Sequence, residues 1–215
     1  MKNIKIGIQM DKIENIDINF DSSFLIALES QKRGYEIFYY NPKDLFYNNG
    51  VVQAKGYFLE LFENKKKYFK FLNNKITINL CDLKFIFIRQ DPPFDMNYIT
   101  STYLLDYLKP PTIVINNPTA IRNFSEKISA FNFKEYMAPT IVTKNIDILS
   151  NFFNEQKDII TKPLYGNGGE GVFRSKIKDG KINGINNDKE ILDDFIMAQK
   201  FIPEITEGDR RILLI

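Results

Sequence analysis

An α/β fold in two successive units is what this sequence predicts, and three observations carry it. The chain opens strand–helix–strand: "IKIGIQM" (4–10), a capped helical stretch, then "YEIFYY" (35–40). That order implies a parallel pair joined by a crossover. Further short apolar runs, "KFIFIRQ" (84–90) and "PTIVINNP" (111–118), extend the pattern and stop at polar residues. A second set of strands, "APTIVTK" and "DIITKP", flanks a helix near 146–155. With 215 residues, 44% hydrophobic and 26% charged, the chain can build two real cores. The boundary is placed near residue 120, giving an N-terminal parallel-sheet domain over 1–121 and a second α/β domain over 122–215.

Each element has a local reason. Asp21 or Ser22 caps the first helix, whose apolar residues Phe24, Leu25 and Leu28 recur at helical spacing, and Gly34 stops it. Asn49-Gly50 between "LFY" and "VVQAKG" is a hairpin signal. Asn73-Asn74 marks another turn, between "YFKFL" and "ITINL". Asp95 caps a helix through about Leu108, a short helix follows Pro118, and "SEKISAFNFKEY" (125–136) reads as a helix capped by Ser125. Beyond the glycine-rich stretch come the strand "GVFRSKI", a turn region, a helix near 188–195, the strand "FIMAQKFI" and a closing strand in "GDRRILLI".

Composition excludes several function classes. The formal net charge is +2, which gives no reason to expect a nucleic acid or an anionic membrane as partner. Histidine is absent, which removes His-based triads, His metal ligands and imidazole bases. Cys81 is the single cysteine, so no disulfide forms within the chain, and a reducing cytoplasm is the expected setting. No apolar run reaches membrane-spanning length, and "MKNIKIGIQM" does not resemble a signal peptide.

The chemistry concentrates in "ITKPLYGNGGEGVF" (160–173), which puts four of eleven glycines into six positions: Gly166, Gly168, Gly169 and Gly171, with Asn167 and Glu170 between them. Glycines lack Cβ, so clustered ones let backbone N–H groups converge on a ligand. The spacing matches neither the P-loop nor a Rossmann turn, because a strand rather than a helix follows. The pattern is strand, glycine turn, strand, a hairpin able to close over phosphates. Lys162 ends the apolar run before it, and a buried ammonium there needs an anionic partner. Arg89, at a strand end, lies where ligands gather in open α/β sheets.

"KPLYGNGGEGVFR", with "SEKISAF" before it and "MAQKFIPEITEGDRRILLI" after it, resembles the ATP-grasp ligases, and among them the bacterial-type glutathione synthetases. In the first part, "FDSSF" and "IRQDPPFD" are the more particular marks of that family. The resemblance implies a pre-ATP-grasp domain followed by a partial ATP-grasp domain. It implies that Lys127 and Lys162 contact ATP phosphates and that the backbone of Gly166 to Gly171 covers them. Gln199, Lys200, Phe201 and Ile202 would line the adenine pocket, Asp209 would lie near the ribose or phosphates, and Arg211 would face the reacting acyl phosphate. Arg89 and Asp91 would hold the peptide substrate. ATP and Mg²⁺ are the implied cofactors, γ-glutamylcysteine and glycine the implied substrates, and a homo-oligomer the implied assembly.

The family pattern continues past the last residue here, and its Mg²⁺ ligands belong to that continuation, so no metal ligand is assigned to this chain. Four aliphatic residues (Ile212, Leu213, Leu214, Ile215) end the sequence, which reads as a fragment. Weak or absent ligase activity and poor solubility are the corresponding expectations. Two alternatives stay open: another ATP-grasp carboxylate–amine ligase, or a non-catalytic ATP-binding remnant or subunit.

Overall fold

The computed structural model describes residues 4–166, 168–178, 181–183, 194–210 and 212. The chain divides into two compact units, Met1–Phe124 and Ser125–Ile215.

In the first unit, β1 (Lys5–Gln9) leads through α1 (Ser22–Lys32) to β2 (Glu36–Tyr40), which pairs parallel with β1. Asp21 caps α1 by accepting the Phe24 N–H at 2.7 Å. A hairpin through Asn49 (φ 45°) and Gly50 (φ 91°) joins β3 (Leu45–Asn48) to β4 (Val51–Leu61). Then come β5 (Phe69–Phe71), β6 (Ile76–Asn79), β7 (Phe85–Ile88), α2 (Met96–Leu105), β8 (Ile113–Ile115) and α3 (Pro118–Asn123). The sheet order is β3-β4-β2-β1-β7-β8, with β2, β1, β7 and β8 mutually parallel and β4 antiparallel to β2.

Alternation along these strands feeds two cores. Ile6, Ile8, Ile37 and Tyr39 pack with Phe24, Ala27 and Leu28 of α1. Phe38, Tyr40, Ile86 and Ile88 pack with Leu105 of α2 and Leu108 after it. Two details differ from the sequence reading. Leu25 is 54% exposed, because the helix needs a narrower apolar stripe than the spacing offers and Ala27 fills the inner position. The Asn73-Asn74 turn does not close a hairpin of its own: β5 and β6 both pair antiparallel with β4, the first against Leu59–Leu61 and the second against Gln53–Gly56. That strand passes close to β2 at Gly56, where a Cβ would stand 2.1 Å from the Tyr39 carbonyl oxygen.

The second unit is built on β9 (Thr140–Thr143), α4 (Ile146–Gln156), β10 (Asp158–Pro163), β11 (Phe173–Lys178), β12 (Lys181–Asn183) and β13 (Ile196–Lys200). The order β12-β11-β10-β13-β9 inserts β13 between the two strands that α4 connects. Leu149, Phe152 and Phe153 of α4 pack on Ile159 and Ala198. The stretch expected as an α-helix capped by Ser125 is a 3₁₀ run, Ser129–Tyr136, kinked at Phe133 (φ −128°, ψ 40°). No residue of that run is buried, so no packed stripe stabilises an α-helix there. The expected helix near 188–195 lies largely outside the described residues; of the expected closing strand in 208–215, Gly208, Asp209, Arg210 and Ile212 are described and none of them is in a strand.

Candidate functional site

Register and alternation decide what the second sheet presents. Ile159 and Ala198 face α4, so their neighbours Asp158, Ile160, Lys162, Met197 and Gln199 face the other way. Arg174 stands opposite Ile160 and shares that face. Lys162, Gln199 and Phe201 are thereby brought to one side of the sheet, away from α4.

Lys162 is half-buried there. Burial lowers its pKa from the ordinary lysine value, Lys127 lowers it further, and Glu126 opposes both. The Lys127 ammonium itself donates to the carbonyl oxygens of Leu164 (3.1 Å) and Gly166 (2.7 Å). One cation thus grips the entrance of the glycine turn and crowds the other.

The turn joins β10 to β11 as an antiparallel hairpin. Gly168, Gly169 and Gly171 have φ of 61°, 80° and 69°, conformations a side chain would strain. A Cβ on either of the first two would meet no described atom within 4 Å, its chain neighbours aside, so both face open space. Gly166 and Gly171 instead close over the Pro163 ring, where a side chain's Cβ would stand 3.0 and 3.2 Å from its Cγ. Glu170 is exposed, and Asn167 lies outside the described residues.

The edge formed by residues 199–202 has a defined hydrogen-bonding state. The Gln199 side chain donates to Thr140 Oγ1 at 2.9 Å. The Lys200 N–H donates to the Pro139 carbonyl and the Phe201 N–H to the Asp158 carbonyl, at 2.9 and 3.0 Å. Gln199 pairs with Thr140, so Lys200 faces Pro139, which has no N–H to return. Proline therefore returns no ladder N–H to the Lys200 carbonyl, which stands as an open acceptor among the described residues, two residues before Ile202. Asp158 and Arg174 form a two-point ion pair (2.9 and 2.6 Å), and the Arg174 guanidinium lies 3.3 Å over the Phe201 ring. Arg174 holds the Asp158 carboxyl below its ordinary pKa. Asp209 is exposed beyond the 3₁₀ turn Pro203–Glu207, and Arg211 lies outside the described residues.

In the first unit a separate cluster forms at the carboxyl ends of β1 and β7. Arg89 donates its N–H to the Gln9 carbonyl (2.7 Å), its Nε to Ser23 Oγ (2.9 Å) and its Nη2 to Ser22 Oγ (2.6 Å). The Asp91 N–H donates to Asp11 Oδ2 at 2.7 Å. Burial and the charges of Asp11 and Asp21 raise the Asp91 pKa, against Arg89. A cleft of about 470 Å³ adjoins, lined in part by Asp11, Lys43, Gln90, Asp91 and Tyr98. Beneath it, Gln9 is fully buried, donates to the Gln90 side chain and leaves its own Oε1 without a partner among the described residues.

Sequence reasoning missed Asp11, Arg174 and Asp158. A glutamine inside "IKIGIQM" was a usable signal for the Gln9 network, since a polar side chain in an apolar run demands a partner. Among the described residues no group of three or more Asp, Glu, His or Cys is disposed to hold a metal, and no helix is long and apolar enough to cross a membrane.

Comparison with known proteins gives a consistent picture. The model of the prokaryotic glutathione synthetase N-terminal domain matches residues 4–122, and that of the prokaryotic glutathione synthetase ATP-grasp domain matches 126–215. A glutathione synthetase of Agrobacterium fabrum is 42% identical over 211 residues, covering 98% of this chain and 66% of that protein. One from Escherichia coli O6:H1 is 39% identical over 217 residues, covering 99% and 67%. The chain thus spans about two-thirds of the length of the curated relatives it matches. Among solved structures, D-alanyl-alanine synthetase A from Vibrio cholerae aligns with TM-score 0.57 at 11% identity, covering 94% of this chain and 61% of that one. A RimK domain ATP-grasp protein from Sphaerobacter thermophilus aligns at 0.55 and 13%, covering 93% and 64%. These two likenesses establish the ATP-grasp fold.

Proposed function

Because the chain belongs to the prokaryotic glutathione synthetase family, we propose that it supplies the ATP-gripping and peptide-holding groups of a ligase that joins γ-glutamylcysteine to glycine. In that reaction the cysteinyl carboxylate attacks the γ-phosphorus of ATP, releasing ADP and forming an acyl phosphate. The glycine amine then attacks the acyl carbon, inorganic phosphate leaves, and the amide of glutathione forms. Such chemistry depends on positioning and charge neutralisation, which suits a chain without histidine.

The observation that carries the reading is the Lys127–Lys162 pair. A lysine whose pKa is lowered first by burial and then by a neighbouring cation, beside a hairpin with open glycines, is suited to a polyphosphate. The base edge fits as well. The open Lys200 carbonyl would accept from the amino group of adenine, and the Ile202 N–H would donate to its ring nitrogen. Gln199 and Phe201 would flank the base, Asp209 the ribose or phosphates, and Arg211 the acyl phosphate. In the first unit, Arg89 would take a carboxylate of the dipeptide and Asp91 its ammonium. Mg²⁺ belongs to the same reading, yet the described residues do not group to hold it; the chain's own contribution lies in its cations and backbone amides.

Calorimetry with ATP, paired with an assay of phosphate release dependent on γ-glutamylcysteine and glycine, tests the proposal. Saturable ATP binding that Lys162→Met removes is the expected result. Absence of binding to the intact chain refutes the ATP reading. Binding without turnover would assign this chain to nucleotide binding and leave catalysis to a longer protein.

A further inference from the structure

Three contacts close a ring around Phe201. Its N–H is held by the Asp158 carbonyl at 3.0 Å, its ring lies under the Arg174 guanidinium at 3.3 Å, and Arg174 is forked onto the Asp158 carboxylate at 2.9 and 2.6 Å. Asp158 therefore holds Phe201 twice, directly through its backbone and indirectly through its side chain. The residues come from three adjacent strands or strand ends of one sheet, opposite α4. The ion pair is partly exposed, with side chains at 38% and 34%, so attraction of charges contributes little by itself. Its geometry contributes more: the fork orients a planar cation, and the planar cation covers a planar ring.

Residue 201 sits between the open Lys200 carbonyl and the Ile202 N–H. Any rotation of its backbone re-aims both groups. From this we infer that Arg174 is a positioning residue for the edge that reads the nucleotide base, and that it sets the preference for adenine over guanine. Guanine presents a carbonyl where adenine presents an amino group, so it meets the Lys200 carbonyl acceptor-to-acceptor. Discrimination then depends on how firmly that carbonyl is aimed. This inference rests on the proposed nucleotide reading and adds to it a residue that need not touch the ligand.

The experiment compares the intact chain with Arg174→Met, Arg174→Lys and Asp158→Asn. Amide exchange at Phe201 is measured without ligand, and affinities are measured for ATP, GTP and inorganic triphosphate. Arg174→Met is expected to speed exchange at Phe201 and weaken ATP about three- to tenfold, the range of a cation stacked on an aromatic ring. Triphosphate affinity should hold, because the lysine pair is intact, and the ATP-to-GTP ratio should shrink. Arg174→Lys, which keeps the charge and loses the planar fork, should fall between. Asp158→Asn should follow Arg174→Met in direction. If ATP and triphosphate weaken equally, or the ATP-to-GTP ratio is unchanged, the inference is overturned while the nucleotide reading stands. If the unaltered chain binds neither ATP nor triphosphate, both are overturned.

Discussion

Lys127 reaches Gly166 with its ammonium, 2.7 Å from the carbonyl oxygen that opens the glycine turn. A second bond, to Leu164, makes that one side chain a fastener for the hairpin. Replacing it by methionine keeps the stem and removes both bonds. Amide exchange in residues 164–172 should then accelerate, and ATP should bind about tenfold more weakly or worse, as expected for a lost charged hydrogen bond. Exchange that stays at the level of the unaltered chain would show that the fastener is incidental.

Lys162 is predicted to trade stability for binding. Its folded pKa is lowered, so between that value and 10.5 the unfolded chain holds the proton more tightly. Stability should accordingly rise as pH climbs toward 10.5. Lys162→Met should raise the melting temperature at neutral pH, flatten that alkaline rise and abolish ATP affinity. A lower melting temperature for the variant contradicts the assignment of strain to this ammonium.

Asp91 carries the opposite sign. Its folded carboxyl holds a proton more tightly than the unfolded one at 3.8, so stability should fall as pH rises from 3.8 through the raised value. Asp91→Asn should raise the melting temperature at neutral pH while weakening the dipeptide. Thermal scans across pH 3 to 7, with and without γ-glutamylcysteine, separate the two effects. An unchanged dipeptide affinity removes Asp91 from the substrate site.

Tyr40 is fully buried, and its hydroxyl finds no partner among the described residues. Burial drives its pKa far upward. Tyr40→Phe should leave stability unchanged or raise it by up to about 1 kcal/mol, since an unsatisfied polar group disappears and the packing stays. A loss beyond about 1 kcal/mol in denaturant unfolding would mean the hydroxyl is bonded in solution.

Among the glycines of the first unit, Gly56 leaves the least room for a side chain. A methyl there would meet the Tyr39 oxygen at 2.1 Å and the Phe38 ring at 2.7 Å. Gly56→Ala should cost about 3 kcal/mol or more, because the obstacle is backbone and cannot swing aside. Wild-type-like unfolding would show that β4 and β2 can separate at Gly56 without cost.

Local features were the legible ones. Asp21 and Asp95 cap helices, and Asn49-Gly50 turns a hairpin, because each acts within three residues of itself. The strand-glycine-strand pattern around 160–173 was readable for the same reason. What stayed hidden depends on distant partners. Asp11 meets Asp91 across 80 residues, and β5 and β6 share β4 rather than each other, which no spacing reveals. Arg174 looked like one charge in an alternating strand; its role follows from register with Ile160 and from where Phe201 lands.

Pro139 shows how an imino acid can shape a surface by omission. Its ring denies β13 one reciprocal bond, so an oxygen that any other residue type would have sealed into the sheet remains on offer among the described residues. Alanine at that position would restore an N–H and set up an internal rival for whatever the oxygen now awaits. The vacancy is written into the covalent structure, and it persists however tightly the surrounding strands are packed.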